Sequence, residues 1–291
     1  MRHETELKIE ISSFGKYHNR KFALHNFKNM KFSIASVNDL NELKRAKSCQ
    51  NRANEERLCG TGDASVSNEI ASSWHVTDPE GDYWPGFELI SDNTFIEGYW
   101  QNENYFLDIA ETICSDLAFP ELPNEYNRIA DFIRKKDVYP KTVGIHIRRG
   151  DYLRHDRFGP LAGSYYHKAI EFMISEIGSD LSFIVISDDQ AWTRRNLNTY
   201  DMPTFFVDFP KSASCPWHDM HLLKLCRHHI VANSSFSWWG AWLAQHANNT
   251  KDGIVCAPSP WLFGKEDERF SPAPQSWIKM PSEPEEPTSK D

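Results

Sequence analysis

After Pro140 the sequence alternates short apolar runs with amphipathic segments, and this alternation constrains the fold more than any other feature. The runs have the length and composition of buried strands, and the segments between them have helical spacing. Strands are predicted at 143–147, 181–187, 204–209, 229–232 and 253–258, and helices at 164–177, 190–198, 218–229 and 236–247. Strands joined by helices form a parallel sheet covered on both faces, so we predict an α/β fold.

The rest of the chain lacks this regular alternation. Its clearest signals are apolar runs at 7–11 and 95–100 and helical spacing over 104–117. We predict an N-terminal domain over 1–139, a second domain over 140–264 and a C-terminal tail over 265–291. The end of this tail, PSEPEEPTSKD, is rich in proline and charge and has no apolar face, so it is predicted to be disordered.

Net charge and cysteine usage exclude several classes of protein. A net charge of -9 disfavours a nucleic-acid-binding protein, which needs a basic face. The six cysteines contain no C-x-x-C pair and predict buried thiols in a reducing, cytoplasmic compartment. The start of the chain has charges where a signal peptide needs apolar residues. The uncharged run 230–250 is long enough for a membrane span, but its amides and hydroxyls predict a buried soluble segment.

Charge is unevenly distributed along the chain. Residues 1–60 carry twelve Lys or Arg against seven Asp or Glu. Such a basic flank is compatible with peripheral contact with an anionic inner-membrane surface, or simply with a solvated face.

Ligands of open parallel sheets bind beyond the carboxyl ends of the strands, so the residues after each apolar run carry the chemistry. Arg148 and Arg149 follow the first run, beside Gly150 and Asp151. Two guanidiniums can bind a diphosphate bidentately while Asp151 holds one of them. The alternative is a surface arginine pair bridged to Asp151.

Two more strand ends complete a predicted crevice. The carboxylates of Asp188 and Asp189 could accept hydrogen bonds from a guanine edge, or could cap a turn. A strand-to-helix junction offers hydroxyls and free N–H groups to an anion, or forms an ordinary helix cap. The junction residues are Asn233, Ser234, Ser235 and Phe236. Neither a Walker nor a dinucleotide-binding glycine motif is present.

Other chemistry-bearing residues are weaker candidates. His218 and His221 flank Asp219, and Cys226 precedes His228 and His229, but these groups do not form a converging zinc set. We predict capping and helix-surface roles for them and no metal site. The loop of Tyr99, Trp100 and Gln101 combines aromatic rings with an amide, which suits either sugar contact or packing.

Four segments closely resemble the α-1,2-fucosyltransferases of glycosyltransferase family 11. They are FIEGYWQNENYF (95–106), GIHIRRGDY (144–152), ISDD (186–189) and HHIVANSSFSWWGAWL (228–243). The resemblance implies a GT-B-like pair of Rossmann-type domains. It also implies metal-independent and cofactor-independent transfer of L-fucose from GDP-β-L-fucose to the 2-hydroxyl of a galactose-terminated glycan, with inversion.

The resemblance also implies residue roles. Arg148 becomes the principal diphosphate ligand, His146 a ribose or phosphate contact, and Arg149 a support. Guanine would be read by Asp188 and Asp189, and the phosphates would be received by the turn of Ser234, Ser235 and Phe236. The catalytic base stays open between Asp151, Glu97 and Glu103.

The chain departs from the family at its start, and this departure is the main support for a non-catalytic alternative. Family members open with a glycine-rich strand, turn and helix, whereas LKIEISSF resembles the family's next strand. An N-terminal domain lacking its first strand and helix is therefore expected, with Glu97, Tyr99, Trp100 and Gln101 on its acceptor side. The alternatives are a non-catalytic GDP-sugar or glycan-binding paralogue and a fucosyltransferase of another linkage. The NSSFSWWGAW block favours the α-1,2 linkage.

Overall fold

A computed structural model describes most of the 291-residue chain. The described residues are 8–9, 24–27, 29–39, 41–42, 45, 75–78, 83–90, 94–155, 157–209, 215–247, 252–264 and 270–285. The chain divides into two compact units, Met1–Leu107 and Asp108–Asp291. Residues 108–139, which the sequence assigned to the N-terminal domain, therefore pack with the second unit.

The described part of the first unit contains two short parallel strand pairs. Strand β1 (Lys8–Ile9) pairs with β2 (Ser33–Ile34), and β3 (His75–Thr77) pairs with β4 (Phe95–Glu97). Single 3-10 turns lie at Leu24–Asn26, Pro85–Leu89 and Glu103–Tyr105. The predicted strand entering a loop after residue 95 is confirmed. A Rossmann-type arrangement of this unit stays a prediction.

The second unit is built on a six-stranded parallel sheet, which confirms the α/β prediction. Its strands are β5 (Thr142–Ile147), β6 (Ser182–Ser187), β7 (Thr204–Val207), β8 (His228–Ile230), β9 (Val255–Ser259) and β10 (Ile278–Pro281). They lie in the order β10-β9-β8-β5-β6-β7, and every pairing is parallel.

Helices follow or precede these strands as the alternating pattern requires. They are α1 (Ala110–Asp116), α2 (Asn124–Ile133), α3 (Gly163–Ile177), α4 (Gln190–Asn196), α5 (Pro216–Leu225) and α6 (Ser235–Ala247). Further 3-10 turns lie at Leu107–Ile109, Tyr139–Lys141 and Asp151–Arg154. The helical spacing over 104–117 yields two of the 3-10 turns and then α1.

The sheet is buried on both faces, because successive side chains of a strand point to opposite sides. On β6, Phe183 and Val185 join a core cluster that includes residues of α3. Ile184 and Ile186 join a second cluster that includes residues of α2 and α5. All six residues of β5 are buried, as expected for a central parallel strand.

Two elements differ from the sequence-based expectation. Helix α2 was not predicted, because Pro123 reads as a helix terminator although it is the residue that precedes the new helix. The predicted disorder of the last residues is wrong for 281–285. Pro281 ends β10 opposite Ser259, and the carbonyl of Glu283 accepts from the Ala162 N–H at 3.0 Å. Residues 286–291 lie outside the described residues.

The uncharged run 230–250 contains helix α6, whose Trp242 is fully buried, so the prediction of a buried segment is confirmed. Among the helices that the structure describes, none has the length and apolar character to cross a membrane.

Candidate functional site

Three predicted strand ends meet at one edge of the six-stranded sheet. Strands β8, β5 and β6 are neighbours and parallel, so their carboxyl ends lie side by side. The backbone N–H of Arg149, after β5, donates to Asp188 Oδ1, after β6, at 2.8 Å. The hydroxyl of Tyr152 donates to the carbonyl of Asn233, after β8, at 3.1 Å. We call the residues at this edge and their direct partners the carboxyl-edge cluster, which comprises His146, Arg148, Arg149, Asp151, Tyr152, Asp188, Asp189, Trp192, Asn233, Ser234, Phe236 and Glu285.

Arg149 is a buried anchor of this cluster. Its side chain is 7% exposed, and Nε donates to Asp189 Oδ2 at 3.1 Å. Nη1 contacts Glu285 Oε2, and the guanidinium lies 4.0 Å from the ring centroid of Trp192. With two carboxylates and an aromatic face around it, this cation is already neutralised by the protein.

Arg148 is the more accessible of the two arginines. Its side chain is 29% exposed, with Nη2 at 2.5 Å from Asp151 Oδ1 and Nη1 at 2.9 Å from Asp188 Oδ2. The Asp151 side chain is half exposed, and ion pairs in such settings contribute little to stability. An incoming anion can therefore replace Asp151 on Arg148 at small cost. The bridge to Asp151 that the alternative predicts is thus present for Arg148 only, because the buried Arg149 is paired with Asp189 and Glu285.

Gly150 leaves room for the Asp188 carboxylate beside the turn after β5. A Cβ atom at this position would lie 2.7 Å from Asp188 Oδ2, closer than a real contact allows. Asp188 is thus brought close to the backbone that carries Arg148 and Arg149.

Asp189 has a visible structural role. Its Oδ1 accepts the backbone N–H of Trp192 at 3.0 Å and caps α4. This is the capping alternative that the sequence left open, although guanine recognition by Asp188 and Asp189 stays a prediction.

Two buried polar atoms of the cluster have no hydrogen-bond partner among the described residues. They are Nδ1 of His146 and Oδ1 of Asn233. Burial, together with the nearby Arg148, lowers the pKa of His146 to about 3, so its imidazole is neutral at pH 7. The Asn233 amide donates to the carbonyl of Phe158 at 2.6 Å, which fixes the orientation of its side chain. Buried polar atoms are nearly always satisfied, so two unsatisfied ones at a strand edge indicate a ligand or water position.

The start of α6 is also part of the carboxyl-edge cluster. Ser234 is buried and its Oγ accepts the N–H of Phe236 at 3.4 Å, whereas Ser235 is exposed. The Phe236 ring lies 5.0 Å from that of His146. A 13-residue helix directs its positive end toward this edge, which favours an anion.

The histidine and cysteine positions have packing and capping roles. The Cys215 N–H donates to His218 Nδ1 at 3.3 Å, which confirms the capping prediction. The helix-surface prediction is wrong for His228 and His229, which are buried on β8 and contact backbone carbonyls. Within the described ranges, no group of three His, Cys, Asp or Glu residues could hold a metal ion.

The aromatic loop belongs to the first unit. Asp78 accepts the N–H groups of Tyr99 and Trp100 at 3.1 and 2.8 Å. The Trp100 ring packs on Phe87 and Tyr105, whereas the side chain of Tyr99 is exposed. Oε2 of Glu97 lies 2.9 Å from Nε2 of His75. Trp100 therefore has the packing role that the sequence left open. Sugar contact by Glu97, Tyr99 or Gln101 stays a prediction.

Sequence reasoning missed Trp192 and Glu285 as members of the cluster. Trp192 lies inside a predicted helix, and Glu285 lies 136 residues from its partner Arg149 in an acidic, proline-rich stretch. No local pattern identifies a contact over that separation.

The model of glycosyl transferase family 11 matches residues 81–271, which include the whole carboxyl-edge cluster except Glu285. The chain belongs to glycosyl transferase family 11. Of the similar proteins, an "Alpha-1,2-colitosyltransferase" of Escherichia coli is 34% identical over 63% of this chain and 61% of its own length. A "Galactoside alpha-(1,2)-fucosyltransferase 1" of Alouatta belzebul is 34% identical over 58% of this chain and 52% of its own length.

The family 11 chain thus spans less than two thirds of the length of these relatives. Among solved structures, POFUT1 in complex with GDP matches with a TM-score of 0.36 and 11% identity, over 57% of this chain and 54% of that one. A similarity this low supports no conclusion about the chain.

Proposed function

We propose that this chain is an inverting glycosyltransferase that moves L-fucose from GDP-β-L-fucose to the 2-hydroxyl of a galactose-terminated glycan. The observation that carries the proposal is the carboxyl-edge cluster, in which the accessible Arg148 and the unsatisfied buried atoms of His146 and Asn233 belong to the carboxyl ends of the neighbouring strands β5 and β8. Two named relatives share an α-1,2 linkage and differ in the sugar named, colitosyl or fucosyl. The linkage is therefore better supported than the identity of the sugar.

Donor binding would begin with an exchange of partners at Arg148. The diphosphate replaces Asp151, while Asp188 stays on the other side of the guanidinium at 2.9 Å. The start of α6 adds partial positive charge. We infer that these groups, without a divalent cation or other cofactor, neutralise the diphosphate. Arg149 does not contact it, because Asp189 and Glu285 already occupy that side chain.

Breaking of the bond between fucose and GDP places negative charge on the β-phosphate. A positioned guanidinium stabilises this charge as it develops, and one charged hydrogen bond contributes about 1.5 to 3 kcal/mol. Inversion requires the acceptor hydroxyl to attack the opposite face of the sugar and to lose its proton to a base. Asp151, which gives up Arg148 on donor binding, is one candidate base, and Glu97 and Glu103 are the others.

A transfer assay with linkage analysis tests this proposal. The full chain is incubated with GDP-β-L-fucose and a lactose acceptor, with and without EDTA, and the product linkage is read by NMR. We expect an α-1,2-fucosylated product, one GDP released per sugar transferred, and no effect of the chelator. Asp151→Asn, Glu97→Gln and Glu103→Gln identify the base as the variant that loses turnover while keeping GDP affinity.

Each other outcome has a distinct meaning. GDP binding without any product would favour the non-catalytic binding paralogue. A product with a different linkage would overturn the α-1,2 assignment, and activity restored only by Mn²⁺ after chelation would overturn metal independence.

A further inference from the structure

The segment 282–285 follows β10 and is hydrogen-bonded to the end of β9 and to the loop that precedes α3. The N–H of Ser282 donates to the carbonyl of Ser259 at 3.0 Å, and that of Glu285 donates to the carbonyl of Pro160 at 2.8 Å. This segment lies beyond the family-model match, which ends at residue 271.

The side chain of Glu285 contacts both members of a stacked pair. Its Oε2 contacts Arg149 Nη1, and its Oε1 accepts the indole N–H of Trp192 at 2.7 Å. Arg149 lies over the Trp192 ring, so one carboxylate holds the cation and the ring together. The Glu285 side chain is 23% exposed, and the interaction is largely shielded from water.

A continuous chain of contacts joins Glu285 to the proposed ligand arginine. Glu285 holds the side chain of Arg149, whose backbone N–H donates to Asp188 Oδ1. The other oxygen of Asp188 lies 2.9 Å from Arg148 Nη1. Movement of the Arg149 side chain would disturb the peptide that carries both arginines and the carboxylate that orients Arg148.

We propose that Glu285 is a positioning residue for the diphosphate site and acts on Arg148 through Arg149 and Asp188. This inference rests on the proposed function, because it takes the ligand to be a GDP-sugar. Glu285→Gln keeps an acceptor for Trp192 but removes the charge that faces Arg149. The guanidinium then keeps Asp189 as its carboxylate partner and loses its second anchor.

The test compares the affinities of the full chain for GDP and for guanosine, measured by calorimetry. Glu285→Gln is compared with Glu283→Gln, which removes the charge of a carboxylate two residues away. The Glu283 carboxylate accepts a hydrogen bond from the Ser164 hydroxyl at 2.7 Å and contacts neither arginine in the structure. We expect Glu285→Gln to weaken GDP binding about tenfold and guanosine binding less than twofold, since only GDP carries the diphosphate. Glu283→Gln should change neither, and the KM for donor should rise with the Kd for GDP.

A double-mutant cycle separates positioning from general loosening of the fold. In an Arg149→Met background, Glu285→Gln should have no further effect on GDP affinity.

Unchanged or tighter GDP binding by Glu285→Gln would overturn the positioning role and leave the proposed function intact. An equal loss of GDP and guanosine affinity, or the same loss with Glu283→Gln, would also overturn it. Absence of GDP binding by the unmodified chain would overturn both proposals. If Glu285→Gln does not fold, Glu285→Asp replaces it: this variant keeps the charge but shortens the side chain by one methylene, and the same selective loss of GDP affinity is expected because the carboxylate no longer reaches both Arg149 and Trp192.

Discussion

At the scale of single residues, two adjacent arginines of identical chemistry have different environments. Arg149 lies between two carboxylates on an indole face, whereas Arg148 lies between a half-exposed Asp151 and Asp188. Successive residues after a strand point in different directions, so one side chain turns inward and the other remains available. The available arginine is the one that a phosphate can recruit.

This difference predicts unequal effects on stability. Arg149→Met leaves two partly buried carboxylates without their cation. Breaking a fully buried pair costs about 3 to 5 kcal/mol, and partial exposure of Asp189 and Glu285 reduces this to about 2 to 3. Arg148→Met should cost less than about 1 kcal/mol. Urea unfolding of both variants measures the difference, and equal losses would contradict the assignment of Arg149 as the anchor.

At the scale of elements, helices α5 and α6 pack closely because one of them carries a glycine at the contact. A Cβ at Gly240 would lie 2.9 Å from Leu223 Cβ, an atom that cannot rotate away. This close contact fixes the position of α6 on α5. The start of α6 at Ser235 is positioned with it.

Gly240→Ala should therefore destabilise the protein although alanine favours helices. The gain in helix propensity is about 1 kcal/mol, whereas overpacking a core costs about 1 to 3 kcal/mol. Because the clash is with a Cβ atom that cannot rotate away, we expect a cost in the upper part of this range and a net fall in the free energy of unfolding of up to about 2 kcal/mol in urea titrations. Gly163→Ala is the matched control, because its Cβ would meet no atom closer than 3.9 Å. A Gly240→Ala variant as stable as the control would refute the close contact.

The elements between 142 and 259 could be predicted because each carries its own local signal. The five strands in this range begin and end within two residues of their predicted bounds. Helix α5 ends earlier than predicted, at Leu225, because the apolar pattern continues through Cys226 into β8. Strand β10 was missed because it is only four residues long, lies in a proline-rich stretch and depends on pairing with β9.

At the scale of the whole molecule, the topology of the sheet explains why the site could be anticipated in part. Once the strands are parallel and β8, β5 and β6 are neighbours, their carboxyl ends must meet. The positions of Arg148, Asp188 and Asn233 follow from this rule. The division of labour between the arginines does not, because it depends on Glu285, which only the folded chain brings to them.

The carboxyl-edge cluster is accordingly a joint product of sheet topology and a distant C-terminal contact. The central claim is that this edge binds the diphosphate of a GDP-sugar through Arg148. Lys141 provides a matched control, because it is a partly exposed cation paired with Asp180 at the opposite end of β5.

Calorimetric titration of GDP into the full chain, Arg148→Ala and Lys141→Ala tests this claim most directly. We expect one GDP per unmodified chain and an affinity reduced about tenfold to a hundredfold in Arg148→Ala, equivalent to the 1.5 to 3 kcal/mol of a charged hydrogen bond. Lys141→Ala should bind as the unmodified chain does. No heat of binding with GDP, or equal affinities for the unmodified chain and Arg148→Ala, would contradict the account.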